Sequence, residues 1–198
     1  MATPGQLVSC LADLTGIPVG TITLYDRALS EAGYRTKSGR GRSAAQVTSR
    51  DASLLLITTL NGGPVKDCLS AVEKFSATTI RYALDASDTW SQRSFGRMAE
   101  LPRDHNFIDA VATLIDCLHK DPALLSGIYR DAIVEVHSPY PHGYIRIYSV
   151  SPISVRYTID PKSSDNDYFA GRDYHEVRSV GLQTLLKLGR LIYEGTPQ

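Results

Sequence analysis

Apolar positions fall at helical spacing in two short stretches near the N-terminus, residues 5–14 and 18–32. Pro18 suits the first turn of the second helix, and Gly33 suits the position just past its end. Residues 34–36 and 44–47 read as two short strands around the turn Ser38-Gly39-Arg40-Gly41. Thr48-Ser49-Arg50-Asp51 has the spacing of a capping box, a hydroxyl followed three residues later by a carboxylate. It opens a helix running to Leu60 through Leu54, Leu55 and Ile57. Helical spacing returns over residues 65–84, through Leu69, Val72, Phe75 and Ile80. It returns again over residues 105–119, through Ile108, Val111, Leu114, Ile115 and Leu118.

Beyond residue 130 the period shortens to two. Residues 133–136 and 144–148 read as strands joined by the turn Ser138-Pro139-Tyr140-Pro141-His142-Gly143. Over residues 153–159, Ile153, Val155, Tyr157 and Ile159 alternate with Ser154, Arg156 and Thr158. Residues 162–173 form a polar loop, 174–180 a fourth strand and 182–193 a closing helix. The fold class is therefore α+β, with an antiparallel sheet covered on one face. The run Leu60-Asn61-Gly62-Gly63-Pro64 is a strong break and divides the chain into residues 1–62 and 64–198. Residues 85–104, with Trp90 and Phe95, show no clean period and read as a connection.

The N-terminal order is helix, tight turn, helix, two strands around a basic turn, capped helix. That order is expected of a winged helix-turn-helix over residues 1–62. The segment LADLTGIPVGTITLY, Leu11 to Tyr25, resembles the helix-turn-helix of bacterial repressors of the lactose-repressor family. Leu11-Ala12 matches the first helix, Gly16 the turn, Ile17 the apolar residue after it and Ile22 the second helix. A small Ala12 lets two helices cross closely, and Gly16 adopts a turn conformation at little steric cost. The resemblance implies that residues 18–29 enter the major groove of duplex DNA. The outward positions of that helix are Val19, Gly20, Thr23, Leu24 and Arg27, and its polar reach is Thr21, Thr23 and Arg27. The helix departs from the family in lacking Arg, Gln or Asn for bidentate base contacts before Arg27. Two readings of Val19 and Leu24 stay open: contact with thymine methyl groups, or a place in the core.

Charge sharpens this expectation. The chain carries 21 basic and 21 acidic residues, so its formal net charge is zero. Yet Arg35, Lys37, Arg40, Arg42 and Arg50 follow one another with no acid between them. A loop of that composition beside a helix-turn-helix can follow a phosphate backbone or enter a minor groove.

Other chemistry finds little support in the residues. His105, His119, His137, His142 and His175 lie in different elements, and none pairs with a cysteine at zinc spacing. Asp165, Asp167 and Asp173 lack the glycine and terminal glutamate of a twelve-residue calcium loop. Neither a serine-nucleophile motif nor a phosphate-binding loop is present; Ser38-Gly39-Arg40-Gly41 lacks the strand-helix context and the lysine. No catalytic residue, metal or cofactor is therefore expected. Cys10, Cys68 and Cys117 are odd in number and far apart, which fits a reducing compartment. No apolar run approaches the ~18 residues of a membrane span, and the N-terminus lacks a secretory pattern. Tyr140, Tyr144, Tyr148, Tyr157 and Tyr168 cluster in the C-terminal part, as half-buried sheet residues or at an interface.

The expected protein is a cytoplasmic, sequence-specific regulator of bacterial or phage type that binds double-stranded DNA, such as a repressor. Residues 64–198 would dimerise it or receive a signal. Two alternatives use the same features: a phage DNA-packaging or recombination accessory protein, and an inhibitor module that sets the basic loop on an acidic protein surface.

Overall fold

The computed structural model describes residues 2–35, 46–81, 96–121, 131–148, 152–159 and 176–195. Helix α1 (Pro4–Thr15) opens on a capping box in which Thr3 and Gln6 each bond the other's backbone N–H through the side chain. It buries Leu7, Val8, Leu11 and Ala12 and stops at Gly16, whose φ is 71°. Helix α2 (Val19–Glu31) begins one residue later than expected, with Pro18 as an extended cap before it. It buries Ile22, Tyr25 and Leu29. Its end is a Schellman turn: the Tyr34 N–H reaches the Leu29 carbonyl at 3.0 Å and the Gly33 N–H the Ser30 carbonyl at 3.2 Å. Gly33 has φ 82°, which a glycine tolerates freely.

The expected strands flanking the basic turn are only partly covered, since residues 36–45 lie outside the described residues. Their described ends are not strand. Tyr34 belongs to the Schellman turn, and the Val47 N–H donates to the Ala2 carbonyl at 3.0 Å.

Helix α3 (Ser49–Asn61) starts on the expected capping box. The Thr48 N–H donates to the Asp51 carboxylate at 2.8 Å, and the Asp51 N–H donates to the Thr48 hydroxyl at 3.2 Å. This helix is buried on nearly every side, through Leu54, Leu55, Leu56 and Ile57 and through Ser53, Thr58 and Thr59. The three hydroxyls are satisfied internally: Ser53 donates to the Ile108 carbonyl, Thr58 to that of Leu54 and Thr59 to that of Leu55. A helix buried on nearly every side, with its hydroxyls satisfied internally, belongs at the centre of a fold, and α3 occupies that place.

The long helix expected over residues 65–84 is a correction. A 3-10 turn (Val65–Asp67) leads into α4 (Cys68–Ser76), and strand β1 (Thr79–Arg81) follows at once. Thr78 ends the helix by donating its hydroxyl to the Phe75 carbonyl at 2.7 Å. The β-branched run Thr78-Thr79-Ile80 then favours the extended chain. Residues 82–84, and Trp90 and Phe95 of the connection, lie outside the described residues. Helix α5 (Phe107–Lys120) is capped by Asn106, whose side chain accepts from the Asp109 N–H at 3.0 Å. Helix α6 (Leu182–Glu194) closes the described chain.

Strands β2 (Asp131–Ser138), β3 (His142–Tyr148), β4 (Ile153–Thr158) and β5 (Glu176–Val180) join β1 in one antiparallel sheet of order β1-β4-β3-β2-β5. The expected loop at 162–173 lies outside the described residues. One sheet face buries Ala132, Val134, Val136, Ile145, Ile147, Val155 and Tyr157. Against it pack α3 and α6, and the Phe107 ring of α5 lies 5.3 Å from that of Tyr157. The ring also covers Gly143 so closely that a Cβ there would sit 2.5 Å from it.

The fold is thus α+β, with six α-helices and a five-stranded antiparallel sheet among the described residues. Among the described residues, buried apolar side chains from Ala2 to Ile192 join in one cluster. Helix α3 packs on α2 from one side and on α5 and α6 from the other, and α1 also touches α6. Among the described residues no helix is long and apolar enough to cross a membrane.

Candidate nucleic-acid interface

Helices α1 and α2 are joined by Gly16, Ile17 and Pro18 alone. The left-handed backbone at Gly16 lets the chain reverse while its N–H still bonds the Ala12 carbonyl at 2.9 Å. Leu11 and Ile22 are fully buried, Ala12 is buried, and Ile17 packs against the same core. Tyr25 fixes the far side of α2 by donating its hydroxyl to the Gly63 carbonyl at 2.6 Å. Burial pushes this phenol above its ordinary pKa, so it remains a donor.

With Ile22, Tyr25 and Leu29 turned inward, the opposite face of α2 is open. Val19 is 50% exposed and Leu24 51%, two of the few large apolar side chains so placed among the described residues. Gly20, Thr23 and Arg27 are exposed beside them, and Thr21 is half-buried. None of these positions carries a carboxylate. The Thr23 hydroxyl donates back to the Val19 carbonyl at 2.8 Å. Arg27 holds Glu31 at 2.7 Å, one turn along the helix. Such an exposed pair is weak, and the guanidinium can exchange its partner.

The five cations of the basic run do not share one environment. Lys37, Arg40 and Arg42 lie outside the described residues. Arg35, expected at a phosphate, is instead 9% exposed and lies 2.8 Å from the Asp26 carboxylate. Burial is the main influence on Asp26 and raises its pKa, although Arg35 opposes the rise. Arg50 remains half-exposed and pairs with Asp109 of α5. Two of the five cations are therefore engaged within the fold.

The sequence pattern did not single out two other features. On the sheet face away from the helices, the guanidinium carbons of Arg146 and Arg156 lie 5.0 and 5.7 Å from the centre of the Tyr144 ring. Arg146 also donates to Glu135 at 3.1 Å, and Arg156 donates to His142 Nε2 at 2.7 Å. The strand register foreshadowed this cluster, because Glu135, Tyr144 and Arg156 occupy one cross-strand row. The second feature is a groove of about 690 Å³ between α1 and α6, lined by Cys10, Asp13, Lys187, Arg190 and Glu194 among others. Burial raises the pKa of the Cys10, Cys68 and Cys117 thiols, which keeps them protonated and poor nucleophiles. Among the described residues no group of three His, Cys, Asp or Glu side chains is placed to hold a metal ion.

Comparison of the chain with protein-family models, with curated proteins and with solved structures finds no match.

Proposed function

We propose that this chain is a sequence-specific, double-stranded-DNA-binding regulator of bacterial or phage type, acting as a homodimer. The observation that carries this reading is the juxtaposition at α2. A helix joined to α1 by a glycine turn exposes a face free of acid from Val19 to Tyr25, and beyond the Arg27–Glu31 pair the chain enters the acid-free run from Arg35 to Arg50. In this reading Val19, Gly20, Thr21, Thr23, Leu24 and Arg27 lie toward the major groove. Lys37, Arg40 and Arg42 meet phosphates, and engagement of Arg35 and Arg50 within the fold leaves these three as the main electrostatic contacts. Residues 64–198 supply the body that dimerises or receives a signal. A dimer follows from area, since one small module contacts too little DNA for tight binding and two-fold half-sites multiply affinity and specificity.

The test is selection of duplexes from a random pool by the full chain, followed by footprinting of the enriched sequence. The expected result is a pseudo-palindrome with half-sites about one helical turn apart. A pool that remains random after repeated selection at low salt would overturn the proposal.

A further inference from the structure

The first two turns of the outer face of α2 are poor in hydrogen-bond donors, and Arg27 beyond them is paired with Glu31. Val19 and Leu24 are half-exposed and apolar. Gly20 has no side chain, and the space where a Cβ would stand is open for 4 Å around. Thr23 has its hydroxyl hydrogen tied to the Val19 carbonyl. Direct readout of guanine or adenine needs donors in a fork, or a paired donor and acceptor, and these four positions offer neither. They do offer an apolar surface at the start of a helix, where recognition helices make their base contacts.

The remaining major-groove feature that such a surface can distinguish is the methyl group at pyrimidine C5. We infer that Val19 and Leu24 read thymine by apolar contact with its C5 methyl, with Gly20 letting the helix backbone approach the base edges. This inference rests on the DNA-binding reading. The occupant is set by charge: from Val19 to Tyr25 the helix carries no acid, and beyond the Arg27–Glu31 pair the chain leads into the run that holds Lys37, Arg40 and Arg42 with no acid among them. A protein partner for the same apolar pair would be indifferent to thymine methyls.

The experiment uses the full chain and the duplex enriched from a random pool, made once with thymine and once with deoxyuridine at every thymine position. The two differ only in the methyls. The expected result is a loss of about fourfold in affinity for each contacted methyl. Leu24→Ala and Val19→Ala should each bind the thymine duplex more weakly and lose part of the discrimination, as a double-mutant cycle requires of groups in contact. Both side chains are half-exposed, and far-ultraviolet dichroism checks that the variants keep their fold. Equal affinity for the two duplexes would overturn the methyl contact while leaving DNA binding intact. Full discrimination in both variants would place the methyl reader elsewhere and also overturn it. If the pool yields no bound duplex, both this inference and the reading beneath it fall.

Discussion

Gly16 holds φ at 71° with nothing within 4 Å of the place where a Cβ would stand. A substitution there meets backbone strain alone. Gly16→Val should destabilise the fold by about 1–3 kcal/mol, and Gly16→Ala by less, because β-branching adds to the strain. Thermal unfolding gives this order, and the valine variant should also lose duplex binding if the turn sets the α2 face. Gly143 poses the opposite problem, since its backbone is ordinary but the Phe107 ring fills its side-chain space. Gly143→Ala should cost about 1–3 kcal/mol through overpacking, measured by denaturant titration. His105 tests the core by pH. Its Nε2 lies 2.8 Å from the Tyr157 hydroxyl, and burial lowers its pKa from the ordinary 6.5. The unfolded chain therefore binds the proton more readily. This contribution is intact above pH 6.5 and lost as pH falls through that value toward the lower folded pKa. His105→Gln should flatten the dependence of unfolding free energy on pH in that window. An unchanged slope would remove His105 from this role.

Helix α3 shows why some elements were legible and others were not. Its capping box is a local arrangement of four residues and reads directly from Thr48 to Asp51. Thr48→Ala should cost about 1 kcal/mol, checked by the shift in denaturant midpoint at constant slope. The alternation in β2, β3 and β4 was equally plain, because one sheet face is buried and the period is two. Strand β1 was hidden because Leu69, Val72, Phe75 and Ile80 keep a helical spacing. A tertiary feature, pairing of Ile80 with Tyr157 on β4, goes with the extended form. The outward positions of α2 follow from the 3.6-residue period once Ile22, Tyr25 and Leu29 are assigned to the core. The burial of Arg35 and the engagement of Arg50 do not follow. Their partners are Asp26, across the Schellman turn, and Asp109, 59 residues away, and no local pattern announces either.

At the scale of the molecule, α3 is the shared element. Its apolar surface meets α2 on one side and α5 and α6 on the other, across the Gly62-Gly63 break. Full-length chain should therefore unfold in one cooperative transition, with calorimetric and van't Hoff enthalpies equal. Two resolved transitions would show that residues 1–62 fold apart from the rest. The same arrangement mounts the α2 face on the shared core, which suits the contacts that the proposed reading gives this helix. Static light scattering of the full chain should give the mass of two protomers, as the proposed two-fold half-sites require. The most direct measurement of the central claim is the salt dependence of duplex binding by the full chain and by the Arg40→Ala, Arg42→Ala double variant. Log affinity should fall steeply with log salt for the unmodified chain, and the double variant should flatten this slope by about 1–2 per protomer. A slope that is the same in both proteins would contradict the claim.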